Sequence, residues 1–195
     1  MLEIKQHRES GYASRTCTNA IEADLTAAFA IDFDSPGERL TRKMAGANYV
    51  SIALTMDPLD AARKLFKALR YFNAQSLNIA GHGLPTLDAH GWTQESVNAW
   101  LFEVMVTVCR HWQLTGVRSG GQKGVDIAGL ACAYALSIPA IGLLPRGYVQ
   151  RDKDGTDREH TPQQVREQVQ HWASQLIVAG VPEDLRQGVP QAACR

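Results

Sequence analysis

Along most of the chain, short apolar runs alternate with longer segments whose apolar residues recur three and four positions apart. The runs "LTAAFAIDF" (25 to 33), "YVSIAL" (49 to 54), "SLNIAG" (76 to 81), "TGVRSG" (115 to 120) and "AIGLLP" (140 to 145) have strand length and are bounded by turn residues. Between them, "ERLTRKMAG", "PLDAARKLFKALRYF", "TQESVNAWLFEVMVTVCRHWQ" and "QKGVDIAGLACAYAL" carry the helical period. In the third, Val97, Leu101, Val104, Val108 and Trp112 share a face, and Thr93 and Ser96 stand where capping oxygens are needed. Near-continuous apolar strands separated by helices predict a parallel sheet covered on both faces, because each right-handed crossover lays its helix against the sheet. The expected fold is therefore α/β: Rossmann-like, doubly wound, with a mainly parallel sheet of five or more strands.

Two segments break this rhythm. "RGYVQRDKDGTDREH" (146 to 160) is dense in both signs of charge and reads as a surface loop, a candidate lid. It precedes "TPQQVREQVQHWASQLIVAG", an amphipathic helix with Thr161 as its cap and Pro162 in its first turn. Residues 1 to 180 are expected to form one ligand-binding domain and 181 to 195 a loosely packed tail, since 195 residues suit a single core.

Composition narrows the function classes. With 45% hydrophobic and 21% charged residues the chain is globular. Lysine plus arginine (20) equals aspartate plus glutamate (20), so no net field favours a long nucleic acid as partner. Cys17, Cys109, Cys132 and Cys194 lack zinc-site spacing and are read as reduced thiols, with no metal expected. The opening "MLEIKQHRES" lacks the apolar region of a secretory signal, and the expected location is the cytoplasm. Residues 127 to 144 are uncharged over nearly a membrane-spanning length, but Pro139 splits them into a buried helix and a buried strand, so no membrane partner is expected. The helix at 93 to 113 is apolar around much of its circumference (Trp100, Phe102, Met105, Trp112), which predicts a homodimer through that helix.

Candidate chemistry lies in three glycine-bearing turns after predicted strands: "SGGQKG" (119 to 124), "GHG" (81 to 83) and "DSPGE" (34 to 38). In a parallel sheet such turns gather at the carboxyl edge, where glycine lets backbone N–H groups approach a ligand and the next helix aims its positive end there. Phosphate suits such a place. Lys123 would add charge, and Asp126 would cap the helix or accept from a ligand hydroxyl or ring N–H. The turn has neither P-loop nor GxGxxG spacing. His82 reads as a solvated turn residue, with ligand contact as the alternative, and no nucleophile elbow surrounds Ser119.

The stretch "SGGQKGVDIAGLACAYALSIPAIGLLPRG" resembles the signature of molybdenum cofactor carrier proteins, in which an SGGQTGVD turn precedes an alanine-rich helix, an IP-type strand and a PKGR-like loop ending in DG. Pro145, Arg146 and Gly147 match that loop, as do Asp154 and Gly155. "YASRTCTNAIEADLTAAFAIDFDSPGERLT" (12 to 41) and "SLNIAGHG" (76 to 83) are similar to the family's YxxRTxxN to GGxxLT block and its LNVAGP strand. These blocks stand in permuted order, so the likeness is to a circular permutation over about four fifths of the chain; termini that lie close together at a surface make this feasible. The wider group includes the Lonely Guy phosphoribohydrolases and DNA processing protein A.

The resemblance implies a pocket with Gly120, Gly121, Gln122, Gly124 and Asp126 on one wall, Gly37, Leu40 and Thr41 on a second, and Gly81 and Gly83 on a third. Arg15 and Asn19, four apart on a short helix, would reach an anionic ligand, and Glu38, Lys123, His82 and Arg146 complete the candidate set. Lys123, Pro36 and His82 replace the family's threonine, glycine and proline. The leading function is binding of a phosphorylated heterocycle, either a molybdopterin-type cofactor or a nucleotide derivative. The alternatives are N-glycosidic hydrolysis of the Lonely Guy type, for which Glu38 is displaced from the expected glutamate position with Arg42 and Lys43 nearby, and sensing of a nucleotide second messenger.

Overall fold

The computed structural model describes residues 1 to 180. It contains a parallel sheet of β1 (Leu2–Gln6), β2 (Leu25–Ala30), β3 (Tyr49–Ala53), β4 (Ser76–Gly81), β5 (Gly116–Ser119) and β6 (Ala140–Leu144) in the order β1-β6-β5-β4-β2-β3. The helices α1 (Tyr12–Ile21) and α2 (Pro36–Ala45) pack together on one face. On the other lie α3 (Pro58–Phe72), α5 (Gln94–Cys109), α6 (Val125–Ala135) and α7 (Pro162–Gly180), with the short α4 (Leu84–Ala89) between β4 and α5. This is the expected Rossmann-like, doubly wound α/β fold.

All five predicted strands form, and β1 joins them at the edge. Only Leu2 and Ile4 of β1 are buried, alternating with Glu3 and the exposed Lys5, so its two apolar positions give a period-2 signal too short to stand out in a charged segment. The cap of α5 is the reciprocal one expected: Ser96 N–H donates to the Thr93 hydroxyl oxygen at 3.1 Å, and Thr93 N–H to the Ser96 oxygen at 2.9 Å. Thr161 and Gln164 make the same exchange at the start of α7.

The apolar circumference of α5 is covered within the chain. Phe102 and Met105 are buried, α5 packs against both α3 and α6, and the indole N–H groups of Trp100 and Trp112 donate to the backbone oxygens of Met56 and Ala74 at 3.2 and 2.7 Å. The pattern that predicted a dimer through this helix therefore has an intramolecular cause. Residues 127 to 144 are α6 followed by β6, and among the described residues no helix is long and apolar enough to cross a membrane.

Gly129 lets α6 pack directly on the sheet: a Cβ there would sit 2.7 Å from the Ile79 Cγ2 on β4. Gly129→Val is expected to lower stability by about 1–3 kcal/mol through overpacking, read from urea unfolding. The tail at 181 to 195, including Cys194, lies outside the described residues.

Candidate functional site

The chain leaves β2 through α2 on one face of the sheet and leaves the neighbouring β4 towards α5 on the other. Adjacent parallel strands with diverging connections leave a crevice at their carboxyl ends. A cleft opens there, in two parts with shared walls. The inner chamber, about 240 Å³, runs down between α1 and α2 to Asn78 and Ala80 of β4. The outer part, about 300 Å³, is bounded by Pro85, Gln122, Lys123 and Arg151. Tyr12, Arg15, Gly37, Gly81, Gly83, Thr86 and Asp126 line both.

The glycine turn after β5 is a fixed wall. Gly120 lines the inner chamber, where a Cβ would fall 1.4 Å from Arg15 Nη1. Gly121 (φ +68°) and Gly124 (φ +111°) adopt backbone conformations that side chains disfavour. The turn is stitched to the β4 turn: Val125 N–H donates to His82 O at 3.1 Å and Leu84 N–H to Lys123 O at 2.9 Å. The Gln94 side chain closes both backbone groups of Gly124, accepting its N–H at 2.6 Å and donating to its carbonyl at 2.9 Å. The N–H groups of Gln122, Gly124 and Val125 are thus committed inside the protein, and the start of α6 is covered rather than offered to a phosphate. Here the structure departs from the expected cradle, because the β4 turn and Gln94 pack onto it.

Arg15 and Asp126 form a buried ion pair, Nη1 to Oδ2 at 3.1 Å, and Gln122 N–H also donates to that carboxylate. Burial pushes the Asp126 carboxyl upward in pKa, opposed by the Arg15 guanidinium. Arg15 stays in the cleft wall, and its Nε has no hydrogen-bond partner among the described residues.

Glu38 sits in the first turn of α2, behind the Ser35 cap, and is 4% exposed. Its Oε2 has no hydrogen-bond partner among the described residues. Burial, followed by the nearby Asp126 charge, raises its pKa from the ordinary 4.5 to about 7. His82 is buried, not solvated as its place between two glycines suggested: Asp32 N–H donates to its Nε2 at 3.0 Å, and desolvation lowers its pKa. The ring is therefore neutral at pH 7, with its proton on Nδ1.

The two parts of the cleft differ in polarity. In the inner chamber the Thr16 and Thr41 hydroxyls donate their hydrogens to Tyr12 O and Gly37 O, at 2.8 and 3.0 Å, leaving acceptor lone pairs. Asn19 and Asn78 donate to Leu143 O and to the Thr26 hydroxyl oxygen, and Asn19 Oδ1 accepts nothing among the described residues. Glu38 adds a carboxyl to this end, and Arg15, whose Nε lacks a partner among the described residues, lines it as well. The outer part adds Lys123 and Arg151 to the Arg15–Asp126 pair that lines both parts. Lys123 pairs with Asp152, and Arg151 pairs with Asp157 at 2.7 Å while lying over the Tyr12 ring.

Residues 146 to 160, expected as a mobile lid, contain a small antiparallel hairpin of β7 (Gln150–Arg151) and β8 (Asp157–Arg158). It is anchored to the glycine turn. The Gln122 side chain donates to Val149 O at 2.7 Å and accepts from Arg151 N–H at 2.9 Å, while the buried Gln150 donates to Gly121 O at 2.7 Å. Tyr12 closes the arrangement by donating its hydroxyl to Asp157 at 2.7 Å.

Of the residues expected at the site, Arg15, Asn19, Gly37, Glu38, Thr41, Gly81, His82, Gly83, Gly120 and Asp126 line the inner chamber, and Gln122 and Lys123 the outer part. Gly121 and Gly124 stand behind the wall as structural glycines. Arg146 lies apart, beside Ser10, Gly147 and Glu159, because the chain turns away after β6. Tyr12, Thr16, Ser35, Asn78, Thr86 and Arg151 are additions. Tyr12, Arg15 or Thr16, and Asn19 recur at helical spacing, and Asn78 is a polar residue inside an apolar strand; both are signals in the sequence. Compared with protein-family models, curated proteins and solved structures, the chain matches none of them.

Proposed function

We propose that this cleft binds a phosphorylated small heterocycle, of nucleotide or pterin type, with the ring in the inner chamber and the phosphate at the outer part. The observation that carries this reading is the split in side-chain chemistry: Thr16, Asn19, Glu38, Thr41 and Asn78 line only the inner chamber, Lys123 and Arg151 line only the outer part, and Arg15 lines both. A ligand with hydrogen-bond donors at one end and an anion at the other complements both. The permuted block likeness to molybdenum cofactor carrier proteins supports the pterin option, and the position at the strand carboxyl ends supports either.

Gly37 offers a clean test, because a Cβ there meets nothing within 4 Å and the residue lines both parts. Gly37→Trp should fill the cleft and abolish binding of nucleoside monophosphates and pterin phosphates in calorimetric titration, with an unchanged thermal midpoint. Retained binding in that variant would remove the cleft from consideration.

A second reading, N-glycosidic hydrolysis, is favoured by Glu38 itself. A buried carboxyl that titrates near 7 is suited to giving a proton to a leaving ring nitrogen while water adds its hydroxyl to the anomeric carbon. Release of free base from nucleoside monophosphates, lost in Glu38→Gln, would establish it; intact ligand after prolonged incubation would leave binding alone.

A further inference from the structure

We propose that the inner chamber selects a ring whose edge presents two adjacent donors, a ring N–H beside an exocyclic amino group, as guanine-type and pterin-type rings do, and that Glu38 is the residue that reads this edge. The inference rests on the reading of the cleft as a site for a phosphorylated heterocycle and narrows the class of ring.

Hydrogen-bond supply and demand in the chamber carry it. Both threonine hydroxyl hydrogens on the α1 and α2 walls are committed to backbone carbonyls within their own helices. One N–H of Asn19 and one of Asn78 are engaged by Leu143 O and Thr26 Oγ1. Of the buried polar atoms on chamber-lining residues that no group among the described residues satisfies, Glu38 Oε2 and Asn19 Oδ1 are acceptors and Arg15 Nε is a donor. A buried acceptor left in this state is costly, so a ligand that supplies donors gains more here than one that supplies acceptors. Among donor pairs, a coplanar N–H and NH₂ match the two oxygens of a carboxylate in a bidentate contact.

Shape points the same way. Gly37, Ala80 and Gly81 present walls with little or no side chain, against which a flat ring can lie. His82, whose Nε2 accepts from Asp32 N–H, carries its hydrogen on Nδ1 and is among the residues that line the chamber.

The test is calorimetric titration of the full chain with GMP, IMP, AMP and ribose 5-phosphate. GMP and IMP differ only in the exocyclic amino group, and GMP is expected to bind about 10- to 100-fold tighter, the usual range for leaving a buried acceptor unsatisfied. In Glu38→Gln, which replaces one acceptor oxygen with a donor, that preference should shrink to within about threefold while ribose 5-phosphate, which lacks the ring, binds as it does to the wild type. Equal affinity for GMP and IMP, a preference for AMP, ribose 5-phosphate binding as tightly as GMP, or an undiminished preference in Glu38→Gln would each overturn the inference while leaving the phosphorylated-ligand reading in place. Binding of none of the four would remove that reading, and this inference with it.

Discussion

Arg15→Ala is expected to lower the stability of the protein by about 3–5 kcal/mol at pH 7, because it leaves the Asp126 carboxylate buried without its cation. The pair joins α1 to the first turn of α6, elements on opposite faces of the sheet, so its loss loosens the site and the packing together. The deficit should depend on pH. Without Arg15, burial alone acts on Asp126 and raises its pKa in the folded state above that of the unfolded chain, so folding takes up a proton. The variant therefore keeps more of its stability near pH 4 and loses it as pH rises. Urea unfolding at pH 4, 6 and 8 checks this, and the double variant Arg15→Met with Asp126→Leu should recover most of the loss. A deficit below about 1 kcal/mol at pH 8 would show that Asp126 is solvated or otherwise paired. Gly120→Ala is a milder route to the same disruption, since its Cβ would collide with Arg15 Nη1 and lie 2.5 Å from Asp126 Oδ2.

Glu38→Gln should act in the opposite direction, stabilising the protein by about 3 kcal/mol at pH 8, the scale implied by a carboxyl raised from 4.5 to about 7. The sign follows from proton binding. In the folded chain Glu38 titrates near 7 against an ordinary 4.5, so between those values the folded state holds the extra proton, and wild-type stability falls as pH rises through that window. The causes are burial first, then the Asp126 charge and, more weakly, Asp32, opposed by the Arg42 guanidinium; Tyr49, whose own pKa is raised, stands in the same group. Glutamine has no such titration, so the gap between variant and wild type should open above about pH 5 and level off above 7. Parallel pH profiles for the two proteins would contradict this placement of Glu38. A residue that destabilises its own fold and lines a cleft is what a functional site is expected to contain. The donor-pair contact requires the carboxylate, so GMP affinity should weaken by up to about tenfold per pH unit below 7, and this dependence should vanish in Glu38→Gln.

The opposing signs of these two effects follow from the two acids themselves. Asp126 has a guanidinium at 3.1 Å, whereas Glu38 has only the more distant Arg42 to offset its burial.

The amino-acid pattern alone determined the alternation of strands and helices, because apolar runs of strand length and apolar residues at helical spacing each bury a face in one way. It also determined that glycine turns follow β4 and β5 and that Thr93 and Thr161 cap α5 and α7, whereas Asp126, offered as a cap for α6, stands inside its first turn and makes no cap. It did not reveal β1, whose two buried residues become informative only when β6 lies beside them. It showed an apolar α5 but could not say that α3 and α6 pack against it. Tertiary structure alone decided that the glycine turn after β5 is sealed by Gln94 and the β4 turn, and that Arg146 stands apart from the cleft. It also decided that Glu38, one charge among many in a polar stretch, is buried in the cleft. Periodicity reports how a residue relates to its own element; hydrogen-bond satisfaction, desolvation and pKa depend on groups remote in sequence, brought together only when the sheet edge assembles.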